Sequence, residues 1–234
     1  MSAEVAHGGH SHGDGNDELI HQFEDMDQQN ECYTVGMWTF LVTEIMFFGA
    51  LFLAYVIYRS KNPDAFYSLS QSSLNVLIGG INTVVLLFSS WCMALAVQGA
   101  QKKRQTQQLL CMGLTIICAF AFIAIKLYFE WRVKIAEHHV PGPDFLYMNL
   151  HPNLPFVQQF QAQMFFSLYF AMTGLHAVHV VIGIAVMGAL WLMIKYKHPA
   201  VKYYMPMEMA GLYWHFVDIV WIFLFPLFYL IPKS

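Results

Sequence analysis

The chain has 234 residues, 57% of them hydrophobic and 12% charged, with a formal net charge of −3. A charged fraction of roughly half the soluble average points to lipid as the main solvent. Twelve scattered Lys and Arg exclude the basic footprint of a nucleic-acid binder, so nucleic acid is not expected as a partner.

Residues 1 to 31 are acidic and Gly-rich, with eight Asp or Glu and no Lys or Arg. They lack the apolar surface that offsets ordering entropy and the basic start of a secretory signal. A polar cytoplasmic tail is expected, with a short surface helix over 19 to 31, and insertion falls to the first long helix. His7, His10 and His12 in this tail are a weak alternative site for a divalent metal.

Apolar blocks follow at about 35–58, 74–97, 109–131, 164–194 and 210–231. The first, at 1.5 Å per residue, reaches about 36 Å against a hydrocarbon core of about 30 Å. Membrane strands alternate over about ten residues, whereas these blocks stay apolar for twenty or more. The predicted fold is therefore all-α, a polytopic transmembrane bundle of five spans, with residues 32–234 as its membrane domain. Of the four cysteines, Cys92, Cys111 and Cys118 lie inside the blocks and Cys32 just before the first; no C-x-x-C pair occurs, and they read as reduced packing residues. Loops 99–108 and 195–209 concentrate the positive charge, including Lys102, Lys103 and Arg104. This favours a cytoplasmic N-terminus and a periplasmic C-terminus.

Ionisable residues inside lipid are costly, so each exception inside a block carries information. Glu44 falls near the bilayer midplane. It reads either as a proton-linked or lipid-facing carboxyl or as a neutral acid bonded to a neighbouring helix. Lys126, Glu130 and Lys134 recur every four residues and predict an interfacial ion-pair ladder on one helix face. His176 and His179 are three apart, with Gly183 four further on, a stripe suited to close helix contact. His215 and Asp218 are again three apart, and a carboxylate beside imidazole can orient the ring. His176, His179, His215 and Asp218 could hold a metal or haem, or be buried polar residues satisfying each other or a lipid head group. No phosphate-binding Gly loop, nucleophile elbow or H-E-x-x-H occurs, so no catalytic residue is assigned.

The run from Tyr213 to Phe225, Tyr-Trp-His-Phe-Val-Asp-Ile-Val-Trp-Ile-Phe-Leu-Phe, resembles the closing-helix signature of haem-copper oxidase subunit III. Residues 173–183 resemble that family's T-G-x-H-x-x-H-V-x-x-G helix, residues 43–49 its S-E-x-x-F-F segment, and residues 126–131 its K-x-x-x-E-W/Y helix end. The resemblance covers about residues 32 to 230 and implies the five-helix bacterial form, without the first two helices of seven-helix members. It further implies an accessory subunit of the bacterial inner membrane that packs on subunit I, accompanies subunit II and binds phospholipid. In that family haem and copper belong to partner subunits and the electron donor is cytochrome c or quinol. The subunit supports sustained proton uptake and protects against turnover inactivation, which suggests a supporting role for Glu44. Other classes predicted from the same residues are a subunit of nitric oxide reductase, an autonomous cytochrome ligated by His176, His179 and His215, and a transporter using Glu44.

Overall fold

The computed structural model describes residues 26–137, 139–142, 156–198 and 204–232. Most of the polar tail, with His7, His10 and His12, lies outside the described residues. Among the described residues, five helices are long and apolar enough to cross a membrane. They are α1 (Met26–Lys61), α3 (Val76–Gln101), α4 (Gln105–Ile125), α6 (Phe156–Lys195) and α7 (Met205–Tyr229). Two shorter helices complete the described elements: α2 (Pro63–Ser73), between α1 and α3, and α5 (Arg132–Ala136), which prolongs α4 through a π-helical turn, Lys126–Trp131.

The observed ends differ from the expected ones in instructive ways. Residues 26–31 do not form a separate surface helix: they continue without a break into α1, because no Gly or Pro interrupts the sequence before Gly36. The stretch after α1 is helical again from Pro63, where a fixed φ and a missing N–H suit a first turn. Its one apolar face buries Phe66 and Leu69.

Helix α7 is the hub. In its most apolar window 44% of the residues are buried, against 17% for α1, so α7 organises the bundle and α1 is peripheral. Indole and hydroxyl groups fix the register between the hub and its neighbours. Trp214 Nε1 donates to Ser89 Oγ at 3.0 Å and Trp221 Nε1 to Thr83 Oγ1 at 3.1 Å, pinning α7 antiparallel to α3. Tyr213 OH donates to the His179 carbonyl at 2.9 Å, tying α7 to α6. Tyr55 OH donates to the Leu227 carbonyl, holding α1 to α7. Bonds of this kind suit helix association in lipid, where burial of apolar surface does not by itself drive helices together.

Glycine serves the closest approach. A Cβ on Gly183 would stand 2.8 Å from the Trp214 ring, so only a hydrogen lets α6 and α7 meet there.

Two of the polar turns share one construction. After α3, Lys103 adopts φ 54°, Arg104 N–H donates to the Gly99 carbonyl at 2.8 Å and Lys103 N–H to Ala100 at 3.0 Å. After α6, Lys197 adopts φ 52°, with His198 bonded to Met193 and Lys197 to Ile194. Both are Schellman closures with lysine at the left-handed position that glycine usually takes. A lysine there offsets part of the backbone cost by placing its charge beside the negative helix C-terminus.

Candidate functional site

Two polar sites lie inside the membrane-spanning region, and the sequence predicted part of each. The first centres on the π turn of residues 126–131. Lys126, Glu130 and Lys134 are 2%, 3% and 4% exposed. All three turn inward, while Leu127, Tyr128 and Phe129 project outward. In a regular α-helix a spacing of four overshoots one turn, whereas the wider π turn undershoots it, so one of each keeps the three side chains on one face.

Lys126 Nζ pairs with Glu130 Oε2 and donates to Tyr229 OH at 2.6 Å and Tyr169 OH at 3.0 Å. Both tyrosines donate in turn to the carboxylate: Tyr169 to Oε2 at 2.7 Å, and Tyr229 within 2.6 Å of Oε1 and 2.5 Å of Oε2. The ammonium also sits 4.9 Å from the Trp221 ring centroid, a favourable place for a desolvated cation. Lys134 does not extend the pair into a ladder: it donates to the Ser73 carbonyl at 3.1 Å, because its face looks onto the end of α2. The enclosure therefore joins the π turn to α6, α7 and α2.

The second site is the pair formed by Glu44 and His179. Glu44 stands at the middle of α1, and His179 Nε2 lies 3.0 Å from its Oε2, with the side chains 20% and 13% exposed. His179 Nδ1 lies 2.8 Å from the Leu175 carbonyl. A carbonyl oxygen only accepts, so Nδ1 must carry hydrogen. One proton then remains to be shared between Nε2 and the carboxyl. Neutral imidazole with a carboxylic acid and imidazolium with carboxylate are its two forms, and both are uncharged overall. The edge of Phe48 packs on the imidazole at 5.3 Å between centroids and holds the ring plane.

The four residues considered together as a metal or haem site are dispersed. His176 points into the core between Phe122 and Trp221, at centroid distances of 5.7 and 5.2 Å, and neither ring nitrogen has a hydrogen-bond partner among the described residues. His179 turns to α1. His215 Nδ1 lies 2.7 Å from Ser90 Oγ on α3. Asp218 does not orient His215; it is buried near the same Ser90, and neither of its oxygens has a partner at bonding distance among the described residues. A three-residue spacing leaves side chains about 60° apart on a helix, enough here to send each to a different neighbour. Among the described residues, no group of three or more His, Cys, Asp or Glu could hold a metal ion. Tyr169, Tyr229, Ser90 and the buried Asn82 escaped the sequence reading, which met Trp221 only inside the Tyr213–Phe225 run. Tyrosines near span ends look like ordinary interfacial residues, and nothing in a one-dimensional pattern pairs them across helices.

Five apolar spans, one of them the hub, with a closed ion pair and a one-proton pair inside, define a multi-pass membrane protein of the helical-bundle class. The family description "Cytochrome c oxidase subunit III" matches residues 155–232. The chain is 31% identical to a cytochrome c oxidase subunit 3 of Synechocystis sp. over 197 residues, which is 84% of this chain and 74% of that protein. It is 29% identical to a "Heme-copper oxidase subunit I+III" of Aeropyrum pernix over 84% of this chain and 22% of that longer protein. It is 27% identical to a "Probable quinol oxidase subunit 3" of Staphylococcus haemolyticus over 87% of this chain and 90% of that protein. The chain belongs to the haem-copper oxidase subunit III family, and its function is that of a subunit of such an oxidase. These matches do not favour the nitric oxide reductase, autonomous cytochrome or transporter readings.

Proposed function

We propose that this chain is a non-catalytic subunit that packs against subunit I, stabilises it and supports its proton uptake, while haem and copper reside in partner subunits. The observation that carries this reading is the Glu44 and His179 pair. It is a single-proton group at mid-span, partly open at the seam between α1 and α6, and no metal ligand set lies among the described residues. Such a pair holds its proton with no net charge in the lipid; handing it on leaves a carboxylate beside neutral imidazole, and uptake of another proton restores neutrality. Association with subunit I is further supported by the Aeropyrum relative, whose name joins subunits I and III in one chain.

The same reading sets the chain in a bacterial inner membrane. Lys102, Lys103, Arg104 and Lys197 at the two Schellman closures would face the cytoplasm, together with the N-terminus. Phospholipid would cover the outer side of α1, which exposes Trp38, Val42, Met46 and Leu53. The test is purification through a tag on this chain in mild detergent, followed by a reduced-minus-oxidised spectrum and selective stripping of the chain. Haem should copurify, stay with the remaining subunits after stripping, and be absent from the released chain. A Soret band carried by the released chain would overturn the reading.

A further inference from the structure

The hub helix is not covered on every side. Ile219 and Ile222 of α7 are 50% and 41% exposed, Pro226 is exposed and His215 half-buried. Their spacing of four, three and four places them on one stripe. Helix α1 borders the stripe through Phe48 on Phe216 and Phe52 on Phe223, and α3 borders it through Ser90 on His215 and Thr83 on Trp221.

Apolar exposure alone says nothing here, since acyl chains satisfy Ile219 and Ile222. The polar groups on the stripe do not fit lipid. His215 lies near the middle of α7, at hydrocarbon depth. Its Nδ1 is occupied by Ser90, whereas Nε2 has no partner among the described residues and is not enclosed by the protein. Pro226 has no N–H, so the carbonyl of Ile222 loses the donor that an α-helix would give it. Two hydrogen-bonding groups thus stand two turns apart on one otherwise apolar face. Lipid tails offer neither donor nor acceptor, and a polar group facing them unpaired costs several kcal/mol.

We propose that the stripe of His215, Ile219, Ile222 and Pro226 on α7, between α1 and α3, is where a transmembrane helix of subunit I docks. That helix presents a hydrogen-bonding side chain to His215 Nε2 at mid-membrane depth. The inference rests on the proposed association with subunit I and adds to it the face and the anchoring residue. Subunit I is the occupant because a membrane-embedded partner must supply the missing group, and the Aeropyrum relative carries subunits I and III in one chain.

The test uses the intact oxidase, with a benzoylphenylalanine photocrosslinker at Ile219 and, for comparison, at Ile117 on the outer face of α4. Irradiation should give a dominant adduct with the mass of this chain plus subunit I from Ile219 only. An adduct with lipid alone, or with a second copy of this chain, would overturn the proposal. In parallel, His215→Phe keeps an aromatic ring but removes the anchor. Its retention in the detergent-purified complex should fall about tenfold, the equivalent of one hydrogen bond of about 1.4 kcal/mol. Retention unchanged or improved would mean a lipid-facing residue and would contradict the docking. If the chain copurifies with haem but fails both tests, only this docking face is wrong. If it does not copurify at all, the association with the oxidase falls with it.

Discussion

Glu130 meets a lysine and two tyrosine hydroxyls in an enclosure where both carboxylate oxygens are bonded, whereas Glu44 meets one imidazole at a seam that is still partly open. Both are acids inside a membrane span. The first is held by four elements and has bonded neighbours on every side; the second bridges only α1 and α6 and holds one exchangeable proton. Saturation makes the Lys126 enclosure a structural clasp, and on the proposed reading sparseness leaves the Glu44 pair free to change state.

The largest effect should come from breaking the clasp. Lys126→Met or Glu130→Gln alone leaves a buried partner uncompensated and should cost about 3–5 kcal/mol, whereas the double replacement by apolar residues should cost much less. Thermal unfolding in detergent, read by circular dichroism, would check this, and equal losses for single and double variants would erase the distinction between the two regions. Next comes Gly183→Val, one turn from His179 on α6, which forces the helix away from Trp214 and should cost about 1–3 kcal/mol by overpacking. Because Gly183 is far along α6 from Tyr169, the strain should fall on the Glu44 seam. Hydrogen exchange should rise around His179 and stay low around Tyr169. Lys103→Gly touches neither region and should raise stability by about 1 kcal/mol, since glycine adopts the left-handed conformation without strain. A lower melting temperature for Lys103→Gly would show that the lysine charge outweighs its backbone cost.

The sequence made the five spans legible because a bilayer demands continuous apolar blocks, and it flagged Glu44 because an acid at that depth has few reasons to be there. It also placed Lys126 and Glu130 together, since a spacing of four on one helix is local information. What closes the clasp was not legible: Tyr169 and Tyr229 belong to other helices, and the π turn that aligns Lys126 with Lys134 has no composition signature. The His176, His179, His215 and Asp218 set looked like one site on paper because each span carries a polar pair at a spacing of three. Their directions depend on which neighbour each helix face meets, and that is settled only by packing against Ser90, Glu44 and Trp221.

Glu44→Gln is the sharpest probe of the proposed proton role, because an amide N–H can still donate to His179 Nε2 while the exchangeable proton is gone. Stability should change by no more than about 0.5 kcal/mol. Sustained oxygen consumption by the purified oxidase should be followed over many turnovers, with proton uptake recorded alongside. Normal haem content and initial rate are expected, followed by slower proton uptake and earlier inactivation than in the parent enzyme. A variant whose uptake and longevity both match the parent would contradict it, and Glu44 would then be no more than a helix contact.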